Sequence, residues 1–436
     1  MTGKPALRLV ATTIVVPLVV ALLAVAALGA LAAPAVAQEA EVGVQGRLVN
    51  EDNEPVEGVT ILVEQDGEEI GTDETDAEGR WAVRLPGAGT YQVSLLTDTL
   101  PEDVSLRDPD RATLDRVRVR EGQVRTVLFP LGERAGGGTA RFERLMNLAV
   151  DGVRLGLIIA LASIGLSLVY SVTGLVNFAH GELVTFGALA AFFFSASGAV
   201  GDWPLVAAAV MAAVSGGVLG FGLERGLFRP LRRRRSGNVS LIVVTIGLSL
   251  VMRHVYLIVF GGRPRPFDEF TIQRAVSLGP ISLRPKDWVV MAVAVAALVG
   301  VALLLQRTRL GTAMRAVSDS GELASASGVD VQRVILYTWV LGAGLAALGG
   351  VLQGVSETVV WDMGFALLLL MFAAVILGGI GTAYGAMVGG ILIGVTSQVS
   401  TYWLDPRYRI GVGLAVLIGA ILVRPQGLLG RAERVG

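Results

Sequence analysis

The feature that most constrains this chain is a recurring apolar run of about 20 residues, the length that crosses a bilayer core as an α-helix. Nine candidates succeed one another: Leu148–Tyr170, Gly174–Ser195, Trp203–Leu223, Val239–Phe260, Trp288–Leu305, Val334–Val355, Phe365–Ile380, Tyr384–Trp403 and Ile410–Val423. Lipid offers no partners to backbone N–H and C=O groups, so such runs fold as helices that satisfy their own. The shorter runs also fit half-spans or re-entrant helices. The expected fold class is therefore a polytopic α-helical membrane protein of about eight to nine spans, occupying 141–430. Charged residues make up only 17% of the chain, against about 25% in soluble proteins. A net charge of −1 gives no basic field for nucleic acid. With no cysteine and two histidines far apart in sequence, disulfides, thiolate chemistry and Cys- or His-rich metal sites are excluded. No cofactor is expected.

Ahead of the spans the composition differs. Lys4 and Arg8 precede an apolar stretch, Leu9 to Leu31, and Ala35-Val36-Ala37 matches a small-x-small cleavage site. Residues 1–37 read as a signal peptide, or as an uncleaved signal anchor given the long apolar region. Either places the next segment outside the cytoplasm. Residues 38–131 alternate in short runs: Val42–Val49, Val59–Val63, Trp81–Leu85, Tyr91–Leu95, and Arg116–Val119 with Val124–Phe129. Turn residues at Asn53, Glu54-Pro55, Asp66-Gly67, Glu78-Gly79 and Pro86-Gly87 separate them. This spacing predicts a small antiparallel β-sandwich in an extracytoplasmic domain. The order GRLVNEDNEPVEGV, TDAEGRW and GTYQV resembles the carboxypeptidase-regulatory-like sandwich family, which implies a binding or spacer module without catalysis. Asp73, Glu74, Asp76 and Glu78 lack EF-hand spacing and read as a solvated acidic turn. Residues 132–140 read as a flexible linker.

Within the spans one stretch stands out, GLVNFAHGE at Gly174–Glu182. Asn177, His180 and Glu182 are costly at bilayer depth, and such groups ordinarily face a protein interior or a water-filled path. Two readings fit: a solvated loop at a membrane face, or a polar break between helices that lines a substrate route. Arg253 reads as snorkelling toward the interface. A pore role for His254 is the weaker alternative use of that span, and Gln353 and Gln398 could bridge helices or line a path. Small residues let helices approach closely, so Gly378, Gly379, Gly381, Gly385 and Gly389 read as packing glycines. An outside start and an odd number of crossings put Arg225–Arg235 and Arg307–Arg333 inside, as the positive-inside rule prefers. Arg141, Arg144 and the basic loop Gly261–Asp287 fall outside, against that preference.

The loop RTRLGTAMRAVSDSGELASASGVDVQR, Arg307–Arg333, predicts one or two short amphipathic helices. Asp319 and Glu322 suggest a capping-box start, and Gly328 a C-cap. Leu310, Met314, Val317, Leu323 and Ala324 would form an apolar face for docking on another protein, or a solvated interfacial hairpin. The chain has no G-x-x-x-x-G-K-[ST], so an ATPase, if one drives it, is a separate chain.

Four stretches in order, SLVYSVTGLVNFAHGE, GTAMRAVSDSGELASASGVDVQRV, AAVILGGIGTAYGAMVGGILIG and RPQGLLGR, resemble the permease subunits of bacterial high-affinity branched-chain amino acid ABC importers. The resemblance covers Arg141 to Gly430. It implies a multi-pass subunit of the bacterial plasma membrane that is not itself an enzyme. Its implied partners are two ATP-binding cassette ATPase subunits, a second related permease, an extracytoplasmic substrate-binding protein and membrane lipid. It also implies that Arg315, Glu322, Ala324 and Gly328 lie in the ATPase-coupling loop. Leucine, isoleucine and valine are the implied cargo, with urea, short amides or other amino acids as the alternative. Competing readings are a membrane sensor or scaffold built on the outer domain, and a secondary carrier, for which Glu182 is the sole buried acidic candidate.

Overall fold

The computed structural model describes residues 42–430 apart from 51–53, 66, 102–103, 105, 107–111, 120–123, 130, 132–137, 197–202, 268–274 and 425. The expected signal segment lies outside the described residues, as does most of the expected linker. The described residues form two compact units, divided after Arg141.

The first unit is β-rich. Its strands are β1 (Gly43–Arg47), β2 (Thr60–Gln65), β3 (Glu68–Glu74), β4 (Arg80–Arg84), β5 (Gly89–Leu95), β6 (Thr113–Val119) and β7 (Val124–Thr126). They make two sheets, ordered β4-β1-β7 and β3-β2-β5-β6. Alternation decides which side chains go inward: in β4, Trp81 and Val83 are buried while Arg80, Ala82 and Arg84 are exposed. Ile61, Val63, Tyr91 and Val93 of the second sheet join Val44, Trp81 and Val83 of the first in one core. Strand β3 departs from the sequence reading, which places no strand at Glu68–Glu74 and reads Asp73 and Glu74 as part of an acidic turn. It pairs antiparallel with β2 through the Gly67 turn, where φ is +84°. The acidic residues here satisfy backbone donors: Asp73 accepts from Ala82 N at 2.6 Å, and Asp76 from Arg80 N at 2.7 Å.

The second unit is helical. In chain order it holds α1 (Gly138–Thr173), α2 (His180–Ala196), α3 (Leu205–Leu223), a π-helical turn (Glu224–Phe228), α4 (Arg229–Arg233), α5 (Asn238–Phe260), α6 (Pro285–Arg307), α7 (Arg309–Asp319), α8 (Gly321–Ala326), α9 (Val331–Ser356), α10 (Met363–Gly378), α11 (Ala383–Val399) and α12 (Arg409–Val423). A short hairpin, β8 (Val276–Leu278) with β9 (Ile281–Leu283), precedes α6. Among the described residues, seven helices are long and apolar enough to cross a membrane, and α2 and α10 are shorter apolar helices. Helix α1 starts earlier than the apolar run does, so 138–140 are helical and not linker.

Helices α1 and α9 are the interior spans, and α12 is the most peripheral. Glycine permits their close contacts. A Cβ at Gly350 of α9 would overlap the Val184 carbonyl of α2, and one at Gly165 of α1 would overlap the Gly342 carbonyl of α9. The expected packing glycines divide in two. Gly378, Gly385 and Gly389 sit at the α10–α11 crossing, where each Cβ would meet backbone or a Thr382 hydroxyl. Gly379 and Gly381 make the turn between those helices, with φ of +110° and +80°.

Candidate functional site

Helix α1 ends at Gly174, whose φ of +66° breaks the ladder; its N–H still donates to Tyr170 O at 2.7 Å. The next five residues are not helical, which shortens the span expected from Gly174 to one starting at His180. Asn177 explains the restart. Its Oδ1 accepts from Ala179 N at 3.0 Å and its carbonyl from His180 N at 3.2 Å, so side chain and backbone together open the first turn of α2. Phe178 N donates to Thr245 Oγ1 of α5 at 3.2 Å.

This places the break well inside the helical unit. Ser249, which touches Glu182, is the twelfth of the 23 residues of α5. That is about 16 Å along the helix at its 1.5 Å rise. Non-helical backbone at such depth is tolerated where protein surrounds it or it lines a cavity. Asn177, His180 and Glu182 are 1%, 0% and 1% exposed, so the solvated-loop reading is excluded.

Three neighbouring helices surround the stretch and the start of α2. His180 Nε2 meets Ala162 O of α1 at 3.0 Å, which puts the proton on Nε2. Glu182 lies in the first turn of α2, where the helix dipole favours a carboxylate. Its Oε1 accepts from Ser249 Oγ at 3.0 Å and from Arg253 Nε and Nη2 at 3.1 and 2.9 Å. Tyr256 Oη donates to the Glu182 carbonyl at 3.1 Å. The Arg253 guanidinium also covers the ring of Phe365 of α10, 3.6 Å from its centroid. Gly181 packs on Gly364 of the same helix, and Thr185 Oγ1 accepts from Gly364 N at 3.0 Å.

Arg253 therefore does not snorkel. Its side chain is 12% exposed and closes an ion pair with the one acidic residue of the break. Ser249 and Arg253 are four apart and share the helix face that meets Glu182. His254, by contrast, is exposed, with Nδ1 on Leu250 O. Asn177 Nδ2, His180 Nδ1 and Glu182 Oε2 have no protein partner among the described residues. The stretch thus keeps an amide donor, an imidazole acceptor and a carboxylate oxygen uncommitted, which can engage a polar guest.

The coupling-loop candidates from the sequence lie apart from this cluster, on α7 and α8. Thr308 caps α7 through Gly311 N at 3.1 Å, and a Cβ at Gly311 would overlap the Leu305 carbonyl. Ser320, not Asp319, caps α8, accepting from Leu323 N at 3.3 Å. Gly328 ends it with φ +88°: Gly328 N donates to Ser325 O and Val329 N to Ala324 O, both at 3.0 Å, a Schellman closure. Met314, Val317 and Ala324 turn inward, so the expected docking face is reduced to Leu323, 71% exposed, beside exposed Glu322. Arg315 is exposed and donates to the Leu305 carbonyl near the end of α6 and to Thr312 Oγ1.

The family model described as "Branched-chain amino acid transport system / permease component" matches residues 148–421. The chain belongs to this permease family. It is 34% identical to the high-affinity branched-chain amino acid transport system permease protein LivH of Salmonella typhimurium, over 67% of this chain and 98% of LivH. It is 31% identical to BraD of Pseudomonas aeruginosa over 65% of this chain and 95% of BraD. The LivM permease protein of Escherichia coli is 26% identical over 64% of this chain and 69% of LivM. No solved structure matches. The matched residues leave out the β-rich unit and take in both the buried break and the α7–α8 hairpin. As a permease of a multi-pass membrane family, the chain is a transport component and not an enzyme.

Proposed function

We propose that this permease is one membrane subunit of an ATP-driven importer that moves branched-chain amino acids across the bacterial plasma membrane. The observation that carries the reading is the likeness to LivH along nearly that protein's whole length. A second related permease completes the pore, a role that the likeness to LivM supports. Two separate ATPase subunits and an extracytoplasmic binding protein complete the machine, since the chain has no phosphate-binding loop of its own.

In this reading the helical unit crosses nine times, with α2 and α10 as short spans. The β-rich unit, residues 38–131, is a carboxypeptidase-regulatory-like sandwich on the outer face, behind a signal segment at 1–37. The α7–α8 hairpin is the ATPase-coupling loop. It presents Glu322 and Leu323 outward, while Arg315, Ala324 and Gly328 shape the hairpin. Asn177, His180 and Glu182 lie on the route, and rearrangement of the close-packed helices around them gives alternating access. The binding protein supplies most of the substrate selection.

The test is purification of the tagged chain from mild detergent, with identification of its companions. Recovery of two ATPases, a second permease and a binding protein that takes up leucine, isoleucine or valine supports the proposal. A binding protein that holds urea or short amides would move the substrate to that class. Recovery of a stable lone chain would oppose the whole reading.

A further inference from the structure

Helices α3 and α9 bound an apolar groove of about 560 Å³, walled by Val214, Val218 and Phe221 on one side and Leu341 and Leu345 on the other. Its floor is glycine. Cβ atoms at Gly217 and Gly344 would each come within 3.3 Å of a carbonyl oxygen on the opposite helix, Val340 O and Ala213 O respectively. The three α3 wall residues are exposed along the groove.

The groove ends at a concentration of charge. The 19 residues of α3 span about 28 Å, close to the roughly 30 Å hydrocarbon thickness, so the adjoining turn lies at the headgroup level. Between Arg225 and Arg235 there are six arginines, and the adjacent Glu224 is the sole nearby acid in sequence. Glu224 is fully buried and ion-paired to Arg232, which takes it out of play. Phe228, on the π-helical turn, stacks on Trp339 with centroids 4.6 Å apart and so fixes the segment against α9. Arg225, Arg233, Arg234 and Arg235 remain exposed, with no carboxylate partner among the described residues. Phe221 and Arg225 are four apart, so the first free guanidinium continues the groove-wall stripe.

We propose that this groove and arginine cluster form a binding site for an anionic phospholipid. An acyl chain lies along the glycine floor, and the headgroup phosphate engages Arg225 and the arginines after α4. Guanidinium groups suit phosphate because they donate in a planar fork. A topology-setting role needs only the charges, not a groove that leads to them. A partner helix packed in the groove would leave four cations uncompensated, whereas an anionic lipid supplies both the chain and the charge. The inference rests on membership of a membrane-spanning family and is independent of the transported substrate.

The test uses the full chain in detergent, equilibrated with equal amounts of phosphatidylglycerol and phosphatidylcholine carrying identical chains. Retained lipid is then quantified by mass spectrometry. Phosphatidylglycerol should be enriched on the order of tenfold, about 1.4 kcal/mol, and added salt should erode the enrichment. R225Q with R234Q should bring the ratio close to one, and G217L should lower retention of both lipids. Glycerol phosphate without chains should not displace the lipid. Equal retention of the two lipids by the wild-type chain, full competition by glycerol phosphate, or displacement of the lipid when the second permease assembles would each overturn the proposal.

Discussion

A carboxylate and a guanidinium facing each other at mid-helix depth make the local balance of charge the first concern. Removing one partner of a buried pair leaves the other unpaired, at a cost of about 3–5 kcal/mol, whereas neutralising both costs far less. Arg253→Gln is therefore expected to lower the thermal unfolding temperature of the detergent-purified chain substantially, and Glu182→Gln with Arg253→Gln to recover most of the loss. Equal destabilisation by the single and double variants would contradict the pairing at 2.9 Å. Asn177 and His180 act differently, since neither is in an ion pair and each keeps one polar atom without a protein partner among the described residues. Alanine at either should lower uptake several-fold while the complex still assembles; normal uptake in both variants would leave the stretch as packing alone. The residue types here are legible in sequence, because polar groups in a run of apolar ones have few other uses. The role of Arg253 is not, because snorkelling depends on where the side chain ends, and its true partner sits 71 residues away.

At the level of elements, short-range signals are readable and long-range ones are not. Gly328 closes α8 in the left-handed region as its sequence position suggests, but the cap falls on Ser320 because a hydroxyl one residue later reaches Leu323 N. The apolar face of α7 is visible as a pattern, yet a pattern does not say whether the face meets another protein or its own chain. Here Met314 and Val317 pack inside the helical unit. Two variants separate the roles. Glu322→Arg alters an exposed side chain and should leave insertion and unfolding temperature unchanged while uptake falls and ATP hydrolysis uncouples from it. Gly328→Pro removes an N–H donor and forbids φ +88°, so it should loosen the hairpin itself, seen as faster amide exchange across α7 and α8. Unchanged uptake in both would argue against a coupling role for this hairpin.

For the whole molecule, hydropathy carries most of the helical layout, because the bilayer restricts a chain so severely. It overstates α2, since an apolar count does not register that Gly174 and Asn177 interrupt the helix inside the unit. The β-rich unit is legible from alternation except at β3, whose acidic sequence hides a strand in which Asp73 serves a neighbouring backbone donor. Residues 38–134 should be dispensable for basal uptake if the β-rich unit is accessory; deletion that keeps the signal segment, with a transport assay, checks this. Everything proposed for transport turns on the buried break belonging to the route of an ATP-driven importer. The most direct measurement is uptake of labelled leucine into vesicles reconstituted with this chain, its second permease, the ATPases and the binding protein, using wild type and His180→Ala in parallel. Uptake is expected only with ATP and every partner present, with a several-fold lower rate for the variant at equal assembly. ATP-independent uptake, or a variant as fast as wild type, would contradict it.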